Sequence, residues 1–275
     1  MRDPRDEEHE LLSNRCRFER PAVSVRAGKV FDPTSFIDIT VNSPALVERT
    51  DTYLNAAWRG LSAHPSNKPV RPFVTISREN GSGGTNMARL LAVELNRGVP
   101  VEDMWRIYEG NLTTRMLKYY HLPAHLAKYL PEDRISEVNA SVGEIVGLHP
   151  NLWELVEKTN LTIRQIALEG HAIIVGRASA YATAGLPDGV HVRLVAPVAN
   201  RAHSLAQLYN ISEADAAAFN ARYDHGRRRY AKNTFNADIT DPLAYDLVIN
   251  TGRVSFAEAA KLVAARVQMQ VAAAR

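Results

Sequence analysis

The sequence predicts an α/β protein in which a parallel sheet is covered by helices. Two observations carry that expectation. Short apolar, β-branched runs alternate along the chain with helical periodicities, and strands alternating with helices pair in parallel through crossovers. The first such run, Phe73-Val-Thr-Ile-Ser77, leads into a glycine-rich turn, Arg78-Glu-Asn-Gly-Ser-Gly-Gly-Thr85, and a helix follows at once. Successive backbone N–H groups in such a turn form a concave nest, and the helix N-terminus adds partial positive charge. Together they hold phosphate.

Taken in order, residues 1–70 differ from the rest. Charge clusters and Pro21, Pro33 and Pro44 interrupt the pattern, one helix is expected from Ser43 to Leu61, and His64–Pro72 reads as a linker. This region is an N-terminal extension, and residues 71–275 form the main domain. After the strand at Phe73–Ser77, residues 86–96 set Met87, Leu90, Leu91 and Leu95 on one helical face. Residues 101–169 show helical patterns broken at Pro123, Pro131 and Pro150 and no convincing long strand. Ala172–Val175 is the second strand and ends in Gly176-Arg177. Val190, Val192 and Leu194 alternate as a third, closed by Pro197. A helix is expected over Val198–Tyr209, then Ser212 and Asp215 cap another. Leu247–Ile249 is the fourth strand, and Ser255 with Glu258 caps a last helix carrying Phe256, Ala259, Leu262, Val263 and Val267.

Composition narrows the function. The chain has 275 residues, 45% hydrophobic and 23% charged, as in an ordinary globular protein. A net charge of +3 is small for this length, and no basic stripe is interleaved with aromatics, so nucleic acid is not an expected partner. No apolar run approaches the roughly 20 residues of a membrane-spanning helix. The N-terminus lacks the apolar centre of a secretory signal, and Cys16 is the single cysteine, which excludes an internal disulfide or a cysteine-based zinc cage. A cytoplasmic enzyme or binding protein is the expectation, with self-association as a homodimer left open.

The phosphate loop departs from the usual G-x-x-x-x-G-K-S/T pattern. In register, Gly83 and Thr85 fit, Arg78 stands where the first glycine belongs, and Gly84 takes the lysine position. Amides from Gly81 through Ser82, Gly83 and Gly84 to Thr85 are expected to wrap phosphate oxygens, with the Thr85 hydroxyl on Mg²⁺. An ordinary strand-to-helix turn is the plain alternative. Arg78 and Arg177 both follow strand ends, the edge where ligands collect in such sheets. The planar fork of Arg177 suits bidentate phosphate binding, against the plain reading of a surface residue or carboxylate partner. Arg222-Tyr-Asp-His-Gly-Arg-Arg-Arg-Tyr230, with Lys232 beyond, is either a solvated helix face or a cationic lid. Since Gly84 has no side chain to reach the transferring phosphate, Arg227, then Arg228 and Lys232, are expected to supply the missing cation. Nine histidines show no metal spacing.

Four islands in order resemble the cytidylate kinase-like proteins of the P-loop nucleoside-monophosphate kinase group. Thr75–Gly84 resembles that family's I-S-R-E-x-G-S-G-G turn, which itself lacks the usual lysine, and Ile173–Ala178 its strand with a phosphate-facing arginine. Tyr223–Tyr230 is similar to its lid helix, and Asp241–Thr251 to its D-P-x-x-Y-D-L-x-I-N-T strand. The resemblance spans about residues 73–265. It implies a three-layer P-loop fold with a parallel sheet, a helical acceptor-binding insertion near 101–169 and an arginine-rich lid near 210–240. Arg177 would hold the acceptor phosphate, Arg227 the transferring phosphate, and Thr85 the metal. Gly84 and Ala178 replace the lysine and aspartate of cytidylate kinases, and Glu109 stands where the family has an aspartate. The implied function is phosphoryl transfer from ATP or GTP, with Mg²⁺, to a small acceptor such as a nucleoside monophosphate. The alternative is a catalytically silent nucleotide-binding regulatory protein.

Overall fold

Five parallel strands, in the order β2-β3-β1-β4-β5, form the one sheet among the described residues of the computed structural model: 71–110, 112, 116, 117, 120 and 152–273. The expectations for residues 1–70, and for most of the segment between Leu112 and Leu152, lie outside them. Strand β1 (Phe73–Arg78) is central, with β3 (Ala172–Val175) and β4 (Gly189–Val195) on either side. Strands β2 (Arg106–Tyr108) and β5 (Leu247–Asn250) close the edges. In register, Phe73 meets both Ala172 and Gly189, and Arg78 meets Leu194, so all the strands deliver their carboxyl ends to one side.

Alternation sorts side chains between two faces. Val74, Ile76, Ile173, Val175, Val190, Val192, Leu194 and Ile249 point to one face and pack under α1 (Gly84–Leu95) and the last helix, α6 (Phe256–Ala273). The opposite face carries Phe73, Ala172 and Ile174 against Tyr108, Leu112, Ile163 and Ile166. The last two belong to α2 (Leu152–Glu169). Nearer the start of α2, Leu155 and Val156 join Tyr230 and Ala231 of α5 (Glu213–Phe235), and Ala178, just ahead of the short α3 (Ser179–Ala182), lies in the same cluster. The result is a helix–sheet–helix sandwich, the α/β architecture expected. Helix α4 (Val198–Tyr209) packs on α5 through Ala202, Leu205, Ala206 and Ala216.

Both expected caps form. The Ser212 hydroxyl accepts from the Asp215 amide at 3.1 Å, and Ser255 with Glu258 makes a reciprocal capping box, each side chain bonding the other's backbone N–H. Three details differ from expectation. Four strands are legible in the sequence, and β2 is the fifth. Leu90 and Leu262 are 39% and 54% exposed. Their places are taken by Ala88 on α1 and by Ala259, Ala260 and Ala264 on α6, small residues that let these helices sit close to the sheet and to each other.

On the face of β1 and β4 turned away from α1 and α6, a polar pair interrupts the apolar packing. Thr75 Oγ1 lies 2.8 Å from His191 Nδ1, and the His191 amide donates to Asp246. Burial lowers the His191 pKa from its ordinary 6.5, against the opposing pull of Asp246. A histidine depressed in the folded state binds more protons when unfolded, so its contribution is complete above the unfolded pKa and is lost as pH falls. Unfolding free energy from urea melts should therefore decline on acidification below about pH 6.5, and His191→Gln should flatten that slope. An equal slope in the variant would show that other groups cause it.

Candidate functional site

The glycine-rich loop stands at the carboxyl end of β1. Gly81 and Gly83 take φ of 78° and 82°, a left-handed backbone that side-chain-bearing residues rarely adopt. Neither has room for a side chain either. A Cβ at Gly81 would fall 2.8 Å from the Arg201 carbonyl, and one at Gly83 would run into the Phe256 ring. Gly83 is the N-cap of α1, no side chain caps that end, and no acid sits in its first turn. The first helical bond is Met87 N–H to the Gly83 carbonyl, so the amides of Gly84, Thr85 and Asn86 precede the helical ladder. Ser82 faces inward: its hydroxyl donates to the Glu79 carbonyl at 2.8 Å and its amide donates to the same oxygen at 3.3 Å. It shapes the loop from behind, while Gly81, Gly83 and Thr85 are partly exposed and Gly84 is buried.

Asn80 fixes the loop from the other side. Its amide donates to Asp224 at 2.7 Å and its side-chain N–H to Asn220 at 2.8 Å. Its carbonyl accepts from Arg201 at 3.0 Å, and its side-chain oxygen accepts from Arg227 at 3.2 Å. Arg201 and Asp224 form a buried ion pair at 2.7 Å. Glu79 accepts from the Ala196 amide and pairs with Arg201, and Thr251 donates to the Ser82 carbonyl. Helices α4 and α5 and the end of β5 thus all grip this one loop.

At its rim, the Thr85 hydroxyl donates to Glu109, the residue that follows β2. A hydroxyl and a carboxylate beside a phosphate nest are hard oxygen donors, and Mg²⁺ binds through one or two such groups plus phosphate oxygens and water. The donor set therefore fits Mg²⁺.

The expected arginines converge in part. Arg78, Arg227 and Arg228 line one pocket with Glu79, Asp224 and Ile239. Its fourth arginine, Arg193, was not anticipated from sequence: within a strand pattern it reads as the polar half of the alternation. In the structure it is 6% exposed, its guanidinium lies 5.8 Å from the Tyr245 ring centre, and its Nη1 has no hydrogen-bond partner among the described residues. Arg177 follows Gly176 at the end of β3, with φ 58°, on the same edge of the sheet but not in the pocket lining. Lys232 is directed elsewhere: its ammonium donates to Asn236 at the end of α5, at 2.8 Å.

The segment after α5 frames the pocket. The Tyr181 hydroxyl donates to the Asp238 carbonyl at 2.6 Å, and that of Tyr245 to the Ile239 carbonyl at 2.9 Å. Burial first, then the hydrogen bond with Tyr245, raises the Tyr181 pKa above the phenol range, so it stays a donor. Hydrogen bonds from Thr240, side chain first, hold the Asp238 carboxyl below its ordinary range. Asp241 caps the turn Pro242–Ala244 by accepting from the Leu243 amide.

Residues 73–253, well over half the chain, match the model of the cytidylate kinase-like family. The chain belongs to that family. A curated relative, the cytidylate kinase of Pyrococcus horikoshii, is 26% identical over 191 residues, covering 70% of this chain and 84% of the relative. The crystal structure of an uncharacterized protein from Eubacterium ventriosum ATCC 27560 superposes with a TM-score of 0.53 at 17% identity, over 72% of this chain and 99% of that one. That likeness concerns the fold. Membership places the chain among kinase-like, nucleotide-binding proteins. Glu109 opposite Thr85 is a point at which this family member has to be read from its own residues.

Thr85→Ala and Glu109→Gln should each weaken Mg²⁺-dependent nucleotide binding by about 10-fold or more, while binding in EDTA changes little. Titration calorimetry with and without Mg²⁺ separates the two. Equal losses in both conditions would remove the metal role.

Proposed function

We propose that the protein transfers the terminal phosphoryl group of ATP or GTP to a small acceptor, with a nucleoside monophosphate as the first candidate. The observation that carries this reading is the convergence of Arg78, Arg227 and Arg228 beside the glycine loop. The phosphoryl-transfer transition state spreads negative charge over equatorial oxygens, so catalysis rests on positioning and on cations aimed at that charge. A binding protein needs the nest alone.

In this reading the amides of Gly81, Gly83, Gly84 and Thr85 hold donor phosphate oxygens. Thr85 and Glu109 would hold Mg²⁺, which neutralises charge on the donor phosphates when bound. Arg227 and Arg228 reach the transferring group from α5. The acceptor oxygen forms a bond to the terminal phosphorus as the bridging oxygen leaves with the nucleoside diphosphate, and the acceptor proton is released. Arg193 and Arg177 flank the acceptor side, where a guanidinium fork suits an anionic group on the acceptor. The silent regulatory reading draws its support from Gly84 alone.

Turnover with a panel of nucleoside monophosphates and small hydroxyl acceptors tests the proposal. The parent should transfer radiolabelled terminal phosphate, Arg227→Ala should lower kcat by roughly 10³-fold, and its nucleotide affinity should stay within a few-fold. Arg193→Met should raise the acceptor KM and leave the donor KM unchanged. A parent that binds nucleotide yet transfers phosphate to no acceptor, water included, would favour the silent reading.

A further inference from the structure

The lysine of an ordinary P-loop is the cation nearest the bridging and terminal phosphates, and at Gly84 it is missing. The lid was the expected substitute. The structure offers a nearer one. Arg78, the last residue of β1, turns its side chain back over the loop. A Cβ built on Gly84 would meet Arg78 Cγ at 3.1 Å and Cδ at 3.5 Å, so the arginine stem runs close beside the point from which a lysine at 84 would start. Its guanidinium continues to the end of β3. There a Cβ on Gly176 would fall onto Arg78 Nη1, with Cζ at 2.7 Å and Nη2 at 2.9 Å. The same arginine lines the pocket that Arg227 and Arg228 enter.

Two glycines therefore clear the path of one side chain. Gly84 admits the stem and Gly176 admits the head. At Gly176 a side chain and Arg78 in its present course exclude each other, and at Gly84 a Cβ would press on the Arg78 stem, so a lysine at 84 would compete with Arg78 for the same path. We infer that Arg78 takes the place of the P-loop lysine, its guanidinium binding the donor's transferring and bridging phosphate oxygens. This rests on the phosphotransferase reading. Chemically the exchange is sound: the guanidinium is always charged and offers paired N–H donors to two oxygens of one phosphate, where lysine offers a point charge.

Moving the cation tests the assignment. Arg78→Ala should lower kcat by roughly 10²–10³-fold and cut the preference for nucleoside triphosphate over diphosphate, measured by calorimetry in EDTA, by about 10-fold. Gly84→Lys in the parent should also lose activity, because its Cβ crowds the Arg78 stem. The double variant, Arg78→Ala with Gly84→Lys, should recover at least about 10-fold over Arg78→Ala alone, a non-additivity that independent sites do not give. Arg78→Met, which keeps the stem, guards against simple loss of packing and should behave as Arg78→Ala does. Unchanged triphosphate preference in both single Arg78 variants, or a double variant no better than Arg78→Ala, would overturn the inference. Absence of any nucleotide binding by the parent would instead overturn the phosphotransferase reading beneath it.

Discussion

Everything at the nucleotide edge depends on how Asn80 is held. All four of its polar groups are bonded to α4 or α5, and those helices meet each other in the buried Arg201–Asp224 pair. Such a pair is weak evidence for stability as such, because two charges leave water to form it. Breaking it is another matter, since one charge is then left buried, at a cost of about 3–5 kcal/mol. Here the charges are multiply satisfied. Arg201 also bonds the Ala196 carbonyl, and Asp224 also accepts from Asn80 and Arg227. The network converts a loop that glycine makes pliable into one with a defined shape. Arg201 even sets the limit on Gly81 through its backbone, so the same residue fixes the charge and the space of the turn.

The second constraint is volume. The carboxyl edge of the sheet must seat two side chains, Thr85 and Arg78, beside a loop whose purpose is to leave its amides accessible. Gly84 and Gly176 make this feasible by having no side chain. Their absence of Cβ is a statement about Arg78, which is why a lysine-less loop need not mean a cation-less site. The lid cations and Arg78 then have different dependencies. Arg78 stands on the central strand, fixed by the sheet, and Arg227 stands on a helix whose grip on the loop runs through Asn80 and Asp224.

How much of this was legible in the sequence follows from interaction range. The four longer strands, the glycine turn and the caps at Ser212 and Ser255 rest on contacts within a few residues, and periodicity or spacing reveals them. Strand β2 has three residues, too few for alternation to show, and it matters because it delivers Glu109 to Thr85. Leu90 and Leu262 were misplaced because a helical wheel prefers the larger apolar residue, and close packing here prefers alanine. Arg193 and Asn80 owe their roles to partners far along the chain, and a single sequence carries no sign of such pairs. The closing motif from Asp241 to Thr251 proved to be scaffolding: Asp241 caps a turn, Asp246 ties His191 to Arg266, and Thr251 holds the loop.

The same network has a consequence for phosphoryl transfer. Arg227 is already bonded, at 3.2 Å to Asn80 and 3.4 Å to Asp224, so in the proposed transfer it would reach a phosphate by exchanging those contacts. A cation that is satisfied in the ground state and better satisfied by charge developing on the transferring group binds differentially, and only differential binding accelerates chemistry. The exchange also costs the lid one of its ties to the loop, leaving Asn220, Asp224 and Arg201 to keep α5 in place. Those remaining bonds hold the helix while its arginine changes partner. In the proposed transfer the donor phosphate would then need side-chain movement alone, with the helix still tied to the loop.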